Sequence, residues 1–488
     1  MTKISTVFKR FPRTFWIANS MELFERWAWY GLFAVLALYL TQSTDTGALG
    51  FTQSQKGDMM GTVTALLYFL PLFTGALADR FGYKKMLLIA FVIYGSSLLL
   101  MGTVRSYAAV YGAFLLVALG AALFKPIVSA TVAKTTDETT SSIGFGIFYM
   151  IVNIGGFVGP VFSSKLRHIY GWHIVFIMAA SAIAVNILLA LFFYKEPGRE
   201  KNTESFWSSV GTSFKNIITA LADMKLTIFL IIMIGFWTMF NQLFYTLPNF
   251  IDQWVDTQMI YNWIAGFSPS IAAAVGTKHG TIAPEMMVNL DAGFIIIFQI
   301  LISSLVMRFK PVSAIISGIM VVSVGIGLAF ATSNGFYVIL GIFIFAIGEM
   351  ASSPKFTEYI GRIAPKNKEA LYMGTSFLPV AVGNKLAGWF SGPVYQSMSD
   401  KVTLLEHEVA KRGLEIPAIS KTFTQNDYLK RAAELLHTDQ HGLTQMLWNT
   451  YHPYKIWMIF SAIGVVTIIA LFLYNTFVLG KAAKTQKA

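Results

Sequence analysis

The sequence predicts an all-α protein that crosses a membrane many times. Of its 488 residues, 55% are hydrophobic and 13% are charged, whereas a soluble globular domain carries about 25% charged residues. Long apolar segments recur along the whole chain, and a helix needs roughly 20 such residues to span a bilayer. The Lys and Arg residues concentrate in the connections on one side of these segments. Together these observations predict a polytopic membrane protein.

Apolar segments suited to membrane helices occur twelve times. They cover residues 15–41, 55–78, 84–104, 107–133, 142–167, 172–194, 226–254, 286–307, 312–332, 335–361, 369–397 and 456–479. The polar, mixed-charge stretch 196–225 is predicted to be a linker, partly an amphipathic helix on the membrane surface. It separates an N-terminal six-helix bundle at 1–195 from a C-terminal one at 226–488, whose outer segments are 256–285 and 398–455.

The distribution of basic residues predicts the topology. The net charge of +12 resembles that of a nucleic-acid-binding protein, but the excess lies on the side shared by both termini. That asymmetry places both termini in the cytoplasm and indicates a protein of the cell membrane. The lipid bilayer is therefore the expected partner, and nucleic acid is not. The basic N-terminus and the charged first apolar run are not typical of a cleavable signal peptide.

Three ionisable side chains lie inside the first apolar run. Glu22, Glu25 and Arg26 are spaced i, i+3, i+4, so they share one helix face, and Tyr30 lies one turn further along it. Charges at membrane depth persist where they pair and face a bundle interior or a water-filled cavity. One interpretation is an ion pair that serves helix packing. We favour a proton-linked carboxylate pair beside a fixed positive charge, because packing does not need a second carboxylate.

These residues also carry a resemblance to a known family. The pattern Glu22-x-x-Glu25-Arg26-x-x-x-Tyr30-Gly31 resembles the first-helix signature of the proton-coupled oligopeptide transporters, a branch of the major facilitator superfamily. The resemblance implies the major facilitator fold, with 12 transmembrane helices in two six-helix bundles and a central site near the midplane. It implies a proton-coupling role for Glu22, Glu25 and Arg26, and a substrate-binding role for Arg26 and Tyr30.

The connection after the second helix matches a further motif of this superfamily. Residues 75–85 read GALADRFGYKK, which resembles the G-x-L-x-D-R-x-G-x-K/R-K loop between the second and third helices. Its glycines suit a tight turn, although a generic basic turn is an alternative. By resemblance, Asp79 and Arg80 are gating residues of a conformational latch. Tyr68, in the second helix, is a substrate-binding candidate.

Lys125 is a lone ammonium in the middle of the fourth helix. The surrounding residues 119–126 resemble the family's G-x-G-x-F-K-P stretch, whose lysine contacts the substrate carboxylate or the proton site. A lysine at this depth needs a partner from another helix, an anionic ligand or the loss of its proton. It lies too far from either helix end for snorkelling. Lys125 is therefore predicted to bind substrate.

The fifth helix combines small residues with one amide. Residues 148–160 resemble the family's F-Y-x-x-I-N-x-G-x-x-x-x-P signature. Gly155 and Gly159 form a small-x-x-x-small face suited to close helix packing. Asn153 can both donate to and accept from a substrate amide, and the motif favours that role over a hydrogen bond between helices.

The seventh helix departs from the family pattern. Residues 236–242 align with F-W-x-x-x-E-Q, which makes Trp237 a substrate-binding candidate, but the acid is replaced by Asn241. Asn241 can accept a hydrogen bond from Lys125 but cannot neutralise it or carry a proton. Lys125 would then be available to an anionic substrate, or be neutral for part of the cycle.

The tenth and eleventh helices add charges. Glu349 matches the family's G-E-x-x-x-S-P glutamate, which faces the substrate's amino group. Lys355 and Glu358 are additional and are spaced to pair with each other. Lys385, in a G-N-x-x-A-G motif, is a candidate partner of Glu349 or Glu358. We predict gating roles for Lys355, Glu358 and Lys385.

Enzymatic and metal-dependent functions have no support in the sequence. There is no cysteine, the His residues are scattered, and no metal-ligand spacing, nucleophile elbow or phosphate loop occurs. A membrane-embedded enzyme or a sensor would need a reactive constellation or a signalling domain. The two outer segments suggest amphipathic helices near 402–411 and 428–436, with no chemistry to assign.

The resemblance therefore implies a proton-coupled symporter that takes up di- and tripeptides or peptide-like solutes by alternating access. Protonation of Glu22 or Glu25 would weaken their hold on Arg26, and substrate would bridge Arg26 and Lys125 to Glu349. A monomer without cofactors other than the proton is expected. The alternative is a transporter of the same fold for an organic anion, a modified amino acid or a glycoside.

Overall fold

Helices dominate the computed structural model, which describes residues 10–137, 140–198, 206–366 and 368–480. Within these residues the extended backbone forms two isolated bridges, between Asp256 and Asn334 and between Gly276 and Ile282, and no strand. The predicted all-α class is confirmed.

In the first half of the chain, the helices follow the predicted apolar segments. They are α1 (Arg13–Thr41), α2 (Gln53–Phe69), α3 (Pro71–Phe81), α4 (Tyr83–Thr103), α5 (Tyr107–Lys134), α6 (Ser141–Tyr170), α7 (His173–Leu188, continued by a π-helical turn at Leu189–Phe193) and α8 (Phe206–Leu221).

In the second half, several predicted helices are interrupted. The segments are α9 (Met224–Phe240), α10 (Gln242–Tyr245), α11 (Leu247–Trp254), α12 (Gln258–Phe267), α13 (Pro269–Val275), α14 (Pro284–Val288), α15 (Leu290–Val306), α16 (Pro311–Phe330), α17 (Gly335–Ile363), α18 (Glu369–Thr375), α19 (Phe377–Trp389), α20 (Tyr395–Ser399), α21 (Lys401–Lys411), α22 (Gln425–Leu435), α23 (Gln440–Tyr451) and α24 (Ile456–Leu473, continued by a π-helical turn at Tyr474–Leu479).

Nine helical segments within the described residues are long and apolar enough to cross a membrane. Each of the twelve predicted segments is helical, but three fall outside these nine. The first, α1, contains three buried charges, and the second is divided at Leu70, directly before Pro71. The eleventh is divided between α18 and α20. The number of twelve spanning helices stays a prediction.

The chain divides into two compact units. Unit 1 comprises Met1–Phe33 and Leu66–Ala220, and unit 2 comprises Ala34–Ala65 and Leu221–Ala488. The predicted bundle boundaries, which follow chain order, stay a prediction. Helix α8 occupies the predicted linker, and Trp207, Phe214 and Ile218 are exposed along it. Their spacing places them on one face, as in an amphipathic helix.

Unit 1 is held together by close backbone contact between α1 and α6. A Cβ atom on Gly155 would lie 2.7 Å from the Cβ of Arg26, and one on Gly159 would lie 2.6 Å from the carbonyl oxygen of Trp27. Both distances are shorter than real carbon contacts, so glycine is required at both positions. The predicted small-residue packing face of the fifth helix is confirmed. It fixes α6 against the turn of α1 that carries the charges.

Unit 2 contains two close helix contacts of the same kind, in which glycines let two backbones approach each other. Helices α16 and α17 meet where a Cβ on Gly348 would lie 2.6 Å from the carbonyl oxygen of Gly318. Helices α2 and α19 also meet through glycines, where a Cβ on Gly57 would lie 2.2 Å from the carbonyl oxygen of Gly388, and one on Gly61 would lie 2.9 Å from the Cα of Gly388. We call this contact of Gly57 and Gly61 with Gly388 the glycine seam.

The outer segments of unit 2 fold into short helices as expected. Helix α22 begins with a capping box, in which Thr424 accepts from the backbone N–H of Asp427 and the Asp427 side chain accepts from that of Thr424. Asp400 is the N-cap of α21, and its side chain accepts a hydrogen bond from the backbone N–H of Thr403. It also accepts from the Gln53 side chain at 3.0 Å, so α21 is tied to the start of α2.

Candidate solute and proton sites

The predicted charges of α1 form one buried cluster in unit 1. Arg26 Nε donates to Glu25 Oε2 at 2.5 Å, and it lies 3.2 Å from Glu22 Oε1. Glu25 is fully buried, and Glu22 and Arg26 are 3% and 8% exposed. Because both acids lie within one turn of Arg26, a single guanidinium serves two carboxylates. The predicted spacing on one helix face is therefore correct.

Aromatic side chains complete this cluster. The Arg26 guanidinium lies 5.6 Å from the centre of the Tyr30 ring, a distance at which a cation is attracted to the ring face. Tyr94 OH, on α4, donates to Glu25 Oε1 at 3.3 Å. The second carboxylate oxygen of Glu25 thus has a neutral donor. Tyr94 was not predicted, since nothing in its own helix marks it.

Lys125 lies within electrostatic reach of the same cluster. Its charge interacts with those of Glu22, Glu25 and Arg26, and its ammonium stands 4.8 Å from the centre of the Tyr68 ring. The structure therefore brings together Glu22, Glu25, Arg26, Tyr30, Tyr68 and Lys125, which come from α1, α2 and α5. Two cations and two carboxylates thus lie in one part of unit 1. Glu22, Glu25 and Arg26 are buried, so their charges interact more strongly than they would in water.

Asn153 is placed differently. Its side-chain N–H donates to the carbonyl oxygen of Tyr149, one turn back in α6, at 2.8 Å. The amide oxygen keeps its acceptor capacity. The predicted substrate contact of Asn153 stays a prediction.

The predicted latch after the second helix is fixed from both sides. Tyr83 OH donates to Asp79 Oδ1 at 3.1 Å, and Tyr83 N donates to Glu196 Oε1 at 2.9 Å. Arg80 stands over the Phe81 ring at 5.4 Å from its centre. Gly82 has a φ of 100°, a conformation that favours glycine. The turn is thus ordered within unit 1, and the gating role of Asp79 and Arg80 stays a prediction.

In unit 2, Asn241 lies at the break between α9 and α10. Its side-chain N–H donates to the carbonyl oxygen of Trp237 at 2.7 Å, so the amide satisfies a carbonyl at the helix end. The Trp237 ring packs on Phe240 and Phe356, and its Nε1 is buried without a hydrogen-bond partner in the described part of the chain. The roles of Trp237 and Asn241 toward substrate stay predictions.

Glu349 has a partner that the sequence did not suggest. Its carboxyl is hydrogen-bonded to that of Asp291, which lies in the first turn of α15 and is 4% exposed. A hydrogen bond between two carboxyl groups requires a proton on one of them. The signal that could have revealed Asp291 is its position as a charge in an otherwise apolar span, the same signal that marked Lys125.

The additional charges of α17 pair with each other as predicted. Lys355 Nζ lies 2.8 Å from Glu358 Oε2, and Arg362 lies 2.5 Å from Glu358 Oε1. Glu358 is thus held from both sides along one helix face.

The predicted partners of Lys385 are wrong. Its ammonium donates to Asp58 Oδ1 at 2.8 Å and to Thr62 Oγ1 at 2.5 Å, and it pairs with neither Glu349 nor Glu358. The reason is that α19 packs on α2 along the glycine seam, so that Asp58 is the nearest acid. Lys385 thus links α2 and α19, and its gating role stays a prediction.

Lys56 is a buried cation that sequence reasoning missed. Its side chain is fully buried beside the glycine seam. Its ammonium donates to the carbonyl oxygen of Tyr245 at 2.9 Å and to Asn249 Oδ1 at 3.3 Å, and stands 5.5 Å from the centre of the Tyr395 ring. These acceptors are neutral, which is a costly setting for a charge.

The outer segments and the end of α11 line a partly open cavity of about 570 Å³ in unit 2. Its lining includes Asp252, Trp254, Lys401, His441 and Trp448. Burial lowers the pKa of Lys401 to about 8, and the nearby Asp252 counteracts part of that effect. Within the described residues, no group of three His, Asp or Glu side chains is arranged to hold a metal ion.

The fold and these buried charges define a polytopic membrane protein with ionisable groups inside its helix packing. Residues 20–377 match the family model of the Major Facilitator Superfamily. Because the match covers well over half of the chain, the protein belongs to the Major Facilitator Superfamily. This is a superfamily of transporters and not of enzymes.

The chain is also similar to individual transporters. It is 31% identical over 228 residues to the uncharacterized transporter YclF of Bacillus subtilis (strain 168), which covers 43% of this chain and 44% of that one. It is 23% identical over 285 residues to the dipeptide and tripeptide permease A of Pectobacterium carotovorum, covering 58% of this chain and 53% of that one. The chain thus spans about half the length of the curated relatives it matches.

Solved structures give the same fold. A crystal structure of a mutant peptide transporter POT in complex with alafosfalin matches with a TM-score of 0.70 at 16% identity, covering 96% of this chain and 94% of that one. The major facilitator fold is therefore confirmed, and so is the resemblance to the proton-coupled oligopeptide transporters.

Proposed function

We propose that this protein takes up small peptides or peptide-like amphoteric solutes by proton-coupled symport. The similarity to proteins named dipeptide and tripeptide permease supports a peptide substrate. The motifs of the first, fourth and fifth helices, which resemble those of the proton-coupled oligopeptide transporters, also support it. The observation that carries the proposal is the cluster of Glu22, Glu25 and Arg26 in unit 1.

The geometry of this cluster is suited to coupling proton and solute. Arg26 stays charged at every physiological pH, so the charge of the group formed by Glu22, Glu25 and Arg26 changes only through its two acids. With both acids ionised, the guanidinium is held by two carboxylates. Protonation of Glu22 or Glu25 removes one of these interactions and frees N–H groups of Arg26 for an anionic ligand. A proton and a carboxylate-bearing solute thus favour each other's binding.

Lys125 provides a second positive charge for the same ligand. Its ammonium interacts electrostatically with Glu22, Glu25 and Arg26, and it stands 4.8 Å from the centre of the Tyr68 ring. A carboxylate that approaches Arg26 would therefore meet two cations. The free energy gained is larger there than at a solvated surface.

Transport by purified protein in liposomes tests the proposal. The parent should accumulate a labelled dipeptide when an inward proton gradient is imposed. Glu22→Gln and Glu25→Gln should still exchange labelled for unlabelled solute but should not concentrate it. A matched control is Glu434→Gln, which removes an exposed carboxylate paired with Arg431 and should behave as the parent does. Undiminished accumulation in both test variants would contradict the coupling role.

A second candidate is a transporter of an organic anion, a modified amino acid or a glycoside. It is favoured by one departure from the family, the replacement of the seventh-helix acid by Asn241. The amide of Asn241 is already engaged with the carbonyl of Trp237, and it carries no charge. Asn241→Glu would restore the acid. If it raises transport of dipeptides relative to that of anionic solutes, this second candidate is supported.

We also propose that the protein resides in the cell membrane with both termini in the cytoplasm, that it acts as a monomer without a cofactor, and that it has no enzymatic activity or nucleic-acid partner. The distribution of Lys and Arg supports the orientation. Reporter fusions at the C-terminus, one active only in the cytoplasm and one active only outside it, would test the topology. Light scattering of the detergent-solubilised protein would test the monomer.

A further inference from the structure

The cavity of the outer segments has no role in the proposed transport. Its volume of about 570 Å³ lies within the range of small-molecule sites, about 300–1,000 Å³. Its walls come from the end of α11, the connection to α12, and the helices α21 and α23. All of these belong to unit 2, whereas Glu22, Glu25 and Arg26 belong to unit 1. The cavity is therefore a candidate for a second ligand site.

Two indole rings line this cavity. The ring centres of Trp254 and Trp448 lie 6.0 Å apart, and Trp254 Nε1 donates to the carbonyl oxygen of Ser399 at 2.8 Å. Trp448 also packs on Tyr454, with 5.0 Å between the ring centres. These contacts hold both indoles in place without a ligand. Aromatic rings of this kind bind apolar groups, and their faces attract cations.

The ionisable side chains of the lining are unequal in sign. They are Asp252, Asp256, Lys401 and His441. With His441 neutral, two carboxylates accompany a single ammonium, so the lining carries an excess of negative charge. A positively charged ligand would offset that excess, and a negatively charged one would increase it.

The cavity already binds an ammonium group that belongs to the chain itself. Lys401 Nζ stands 5.6 Å from the centre of the Trp254 ring, a distance at which a cation is attracted to the ring face. It donates to Thr444 Oγ1 at 2.6 Å and to the carbonyl oxygen of Gln253 at 3.2 Å. The charge of Asp252 also favours the ammonium form. The lining is thus chemically suited to a cation.

The two acids of the cavity are engaged differently. Asp252 Oδ1 accepts from Gln42 Nε2 at 2.8 Å, and its charge interacts with that of Lys401. Asp256 Oδ1 accepts from the backbone N–H of Gln258 at 2.9 Å. Asp256 forms no ion pair with any residue in the described part of the chain. The excess negative charge is therefore best assigned to Asp256.

We propose that this cavity binds a small organic cation with an apolar body, as a second ligand site of the protein. The apolar body contacts the indole of Trp448, and the positive charge lies beside Asp256. Lys401 competes with the ligand, because its ammonium covers the Trp254 ring and repels a second cation. The inference goes beyond the proposed function, since it does not depend on which solute crosses the membrane.

Isothermal titration calorimetry of the whole protein in detergent tests the proposal with three probes that share a benzyl group. Benzyltrimethylammonium should bind. Benzyl alcohol and phenylacetate should bind at least about fivefold more weakly, which is the effect of one charge contact at a solvated site. Detergent without protein provides the blank. If the cation does not bind, or if either other probe binds as tightly, the proposal is overturned.

Three substitutions test whether the cation binds in this cavity. Asp256→Asn keeps an acceptor for Gln258 N but removes the charge, and it should weaken binding of the cation about fivefold. Lys401→Met removes the competing ammonium and keeps an apolar side chain beside Trp254. It should tighten binding by a similar factor, a gain that a loss of folding could not produce. Glu434→Gln removes an exposed acid of α22 that does not line the cavity, and it should change nothing.

The opposite signs of these effects make the test sharp. Weaker binding in Lys401→Met would show that Lys401 is a contact and not a competitor, and an unchanged affinity in Asp256→Asn would place the charge elsewhere. Either result overturns the proposal. An equal loss in Glu434→Gln would also overturn it, because the effect would then come from the general charge of the outer segments. A parent that fails to transport peptides would contradict only the proposed function.

Discussion

The two units bury carboxylates by different means. In unit 1, Glu22 and Glu25 are held by the guanidinium of Arg26. In unit 2, Asp291 and Glu349 meet no cation in the described part of the chain and are joined by a hydrogen bond. A guanidinium is a permanent charge, so it leaves both acids of unit 1 free to ionise or to take up a proton. The hydrogen bond between Asp291 and Glu349 requires a proton on one of the two carboxyls, so the two acids cannot both be ionised while it is formed.

The largest expected effect comes from removing the cation of unit 1. Arg26→Met removes the cation that is paired directly with Glu22 and Glu25, and breaking a buried ion pair on one side costs about 3–5 kcal/mol. The melting temperature of the purified protein should fall markedly. It should recover in part in Arg26→Met combined with Glu25→Gln, because one uncompensated charge is then removed.

An exposed arginine provides the control for this change. Arg431 pairs with Glu434, and both side chains are 51% exposed. Arg431→Met should alter stability by no more than about 0.5 kcal/mol. If Arg26→Met is as mild as this control, the guanidinium does not compensate the acids of unit 1.

A smaller change in stability should distinguish an acid paired with a cation, Glu25 of unit 1, from an acid hydrogen-bonded to another carboxyl, Glu349 of unit 2. Glu25→Gln loses charge-assisted hydrogen bonds from Arg26, which are worth about 1.5–3 kcal/mol each. Glu349 forms no ion pair in the described part of the chain, so Glu349→Gln loses no charge-assisted hydrogen bond to a cation and should cost less than about 1 kcal/mol. Chemical or thermal unfolding of the two variants measures the difference. Equal costs would remove the distinction between a carboxylate held by a cation and one held by a proton.

A partly exposed ion pair sets the lower end of the comparison. Lys385 and Asp58 are each about half exposed, and pairs of this kind contribute about 0.2–1 kcal/mol. A double-mutant cycle with Lys385→Met and Asp58→Asn should give a coupling in this range. A coupling energy as large as that of Arg26 with Glu25 would contradict this prediction, because it would show that the Lys385–Asp58 pair is shielded from water despite its exposed side chains.

The smallest effect concerns an acid outside the membrane helices. Burial alone would raise the pKa of Glu408, but hydrogen bonds from Arg412 and Tyr451 hold the pKa below its usual value. A carboxyl whose pKa is lower in the folded state stabilises the protein above its unfolded pKa of about 4.3. This contribution is lost as the pH falls through the lowered pKa. Acidification should therefore loosen α21 from α23.

Thermal unfolding at several pH values measures this contribution. The melting temperature of the parent should fall on acidification below about pH 4 more steeply than that of Glu408→Gln, which has no carboxyl to titrate. Parallel pH profiles would show that Glu408 does not contribute through its charge.

The fold and the cluster of unit 1 could be predicted because their signals are local. Helical periodicity alone places Glu22, Glu25 and Arg26 on one face. Apolar length and basic asymmetry likewise indicate membrane helices without any knowledge of their packing. The spacing of Gly155 and Gly159 in the fifth predicted helix predicted a close helix contact. In the structure this contact is with α1, at the turn that carries Arg26.

The remaining contacts depend on which helices meet, and the sequence does not contain that information locally. Asp291 pairs with Glu349 because α15 packs on α17, and Lys385 pairs with Asp58 because α19 packs on α2. Lys56 was missed for the same reason, since its acceptors come from α10 and α11. From the sequence, Asn241 was interpreted as the residue that replaces the family's acid opposite Lys125. In the structure it lies at the break between α9 and α10, where its amide donates to the carbonyl oxygen of Trp237.

The glycine seam has a consequence for the conformational populations of the protein. At the seam the two helix backbones are in direct contact, so no flexible side chain lies between them that could move to relieve an overlap. A methyl group on Gly57 would come 2.2 Å from the carbonyl oxygen of Gly388. Gly57→Ala would therefore act as a wedge between α2 and α19. Each ~1.4 kcal/mol of overlap shifts the balance tenfold toward arrangements in which these helices are apart. A single methyl group thus offers a means to enrich such an arrangement for spectroscopy.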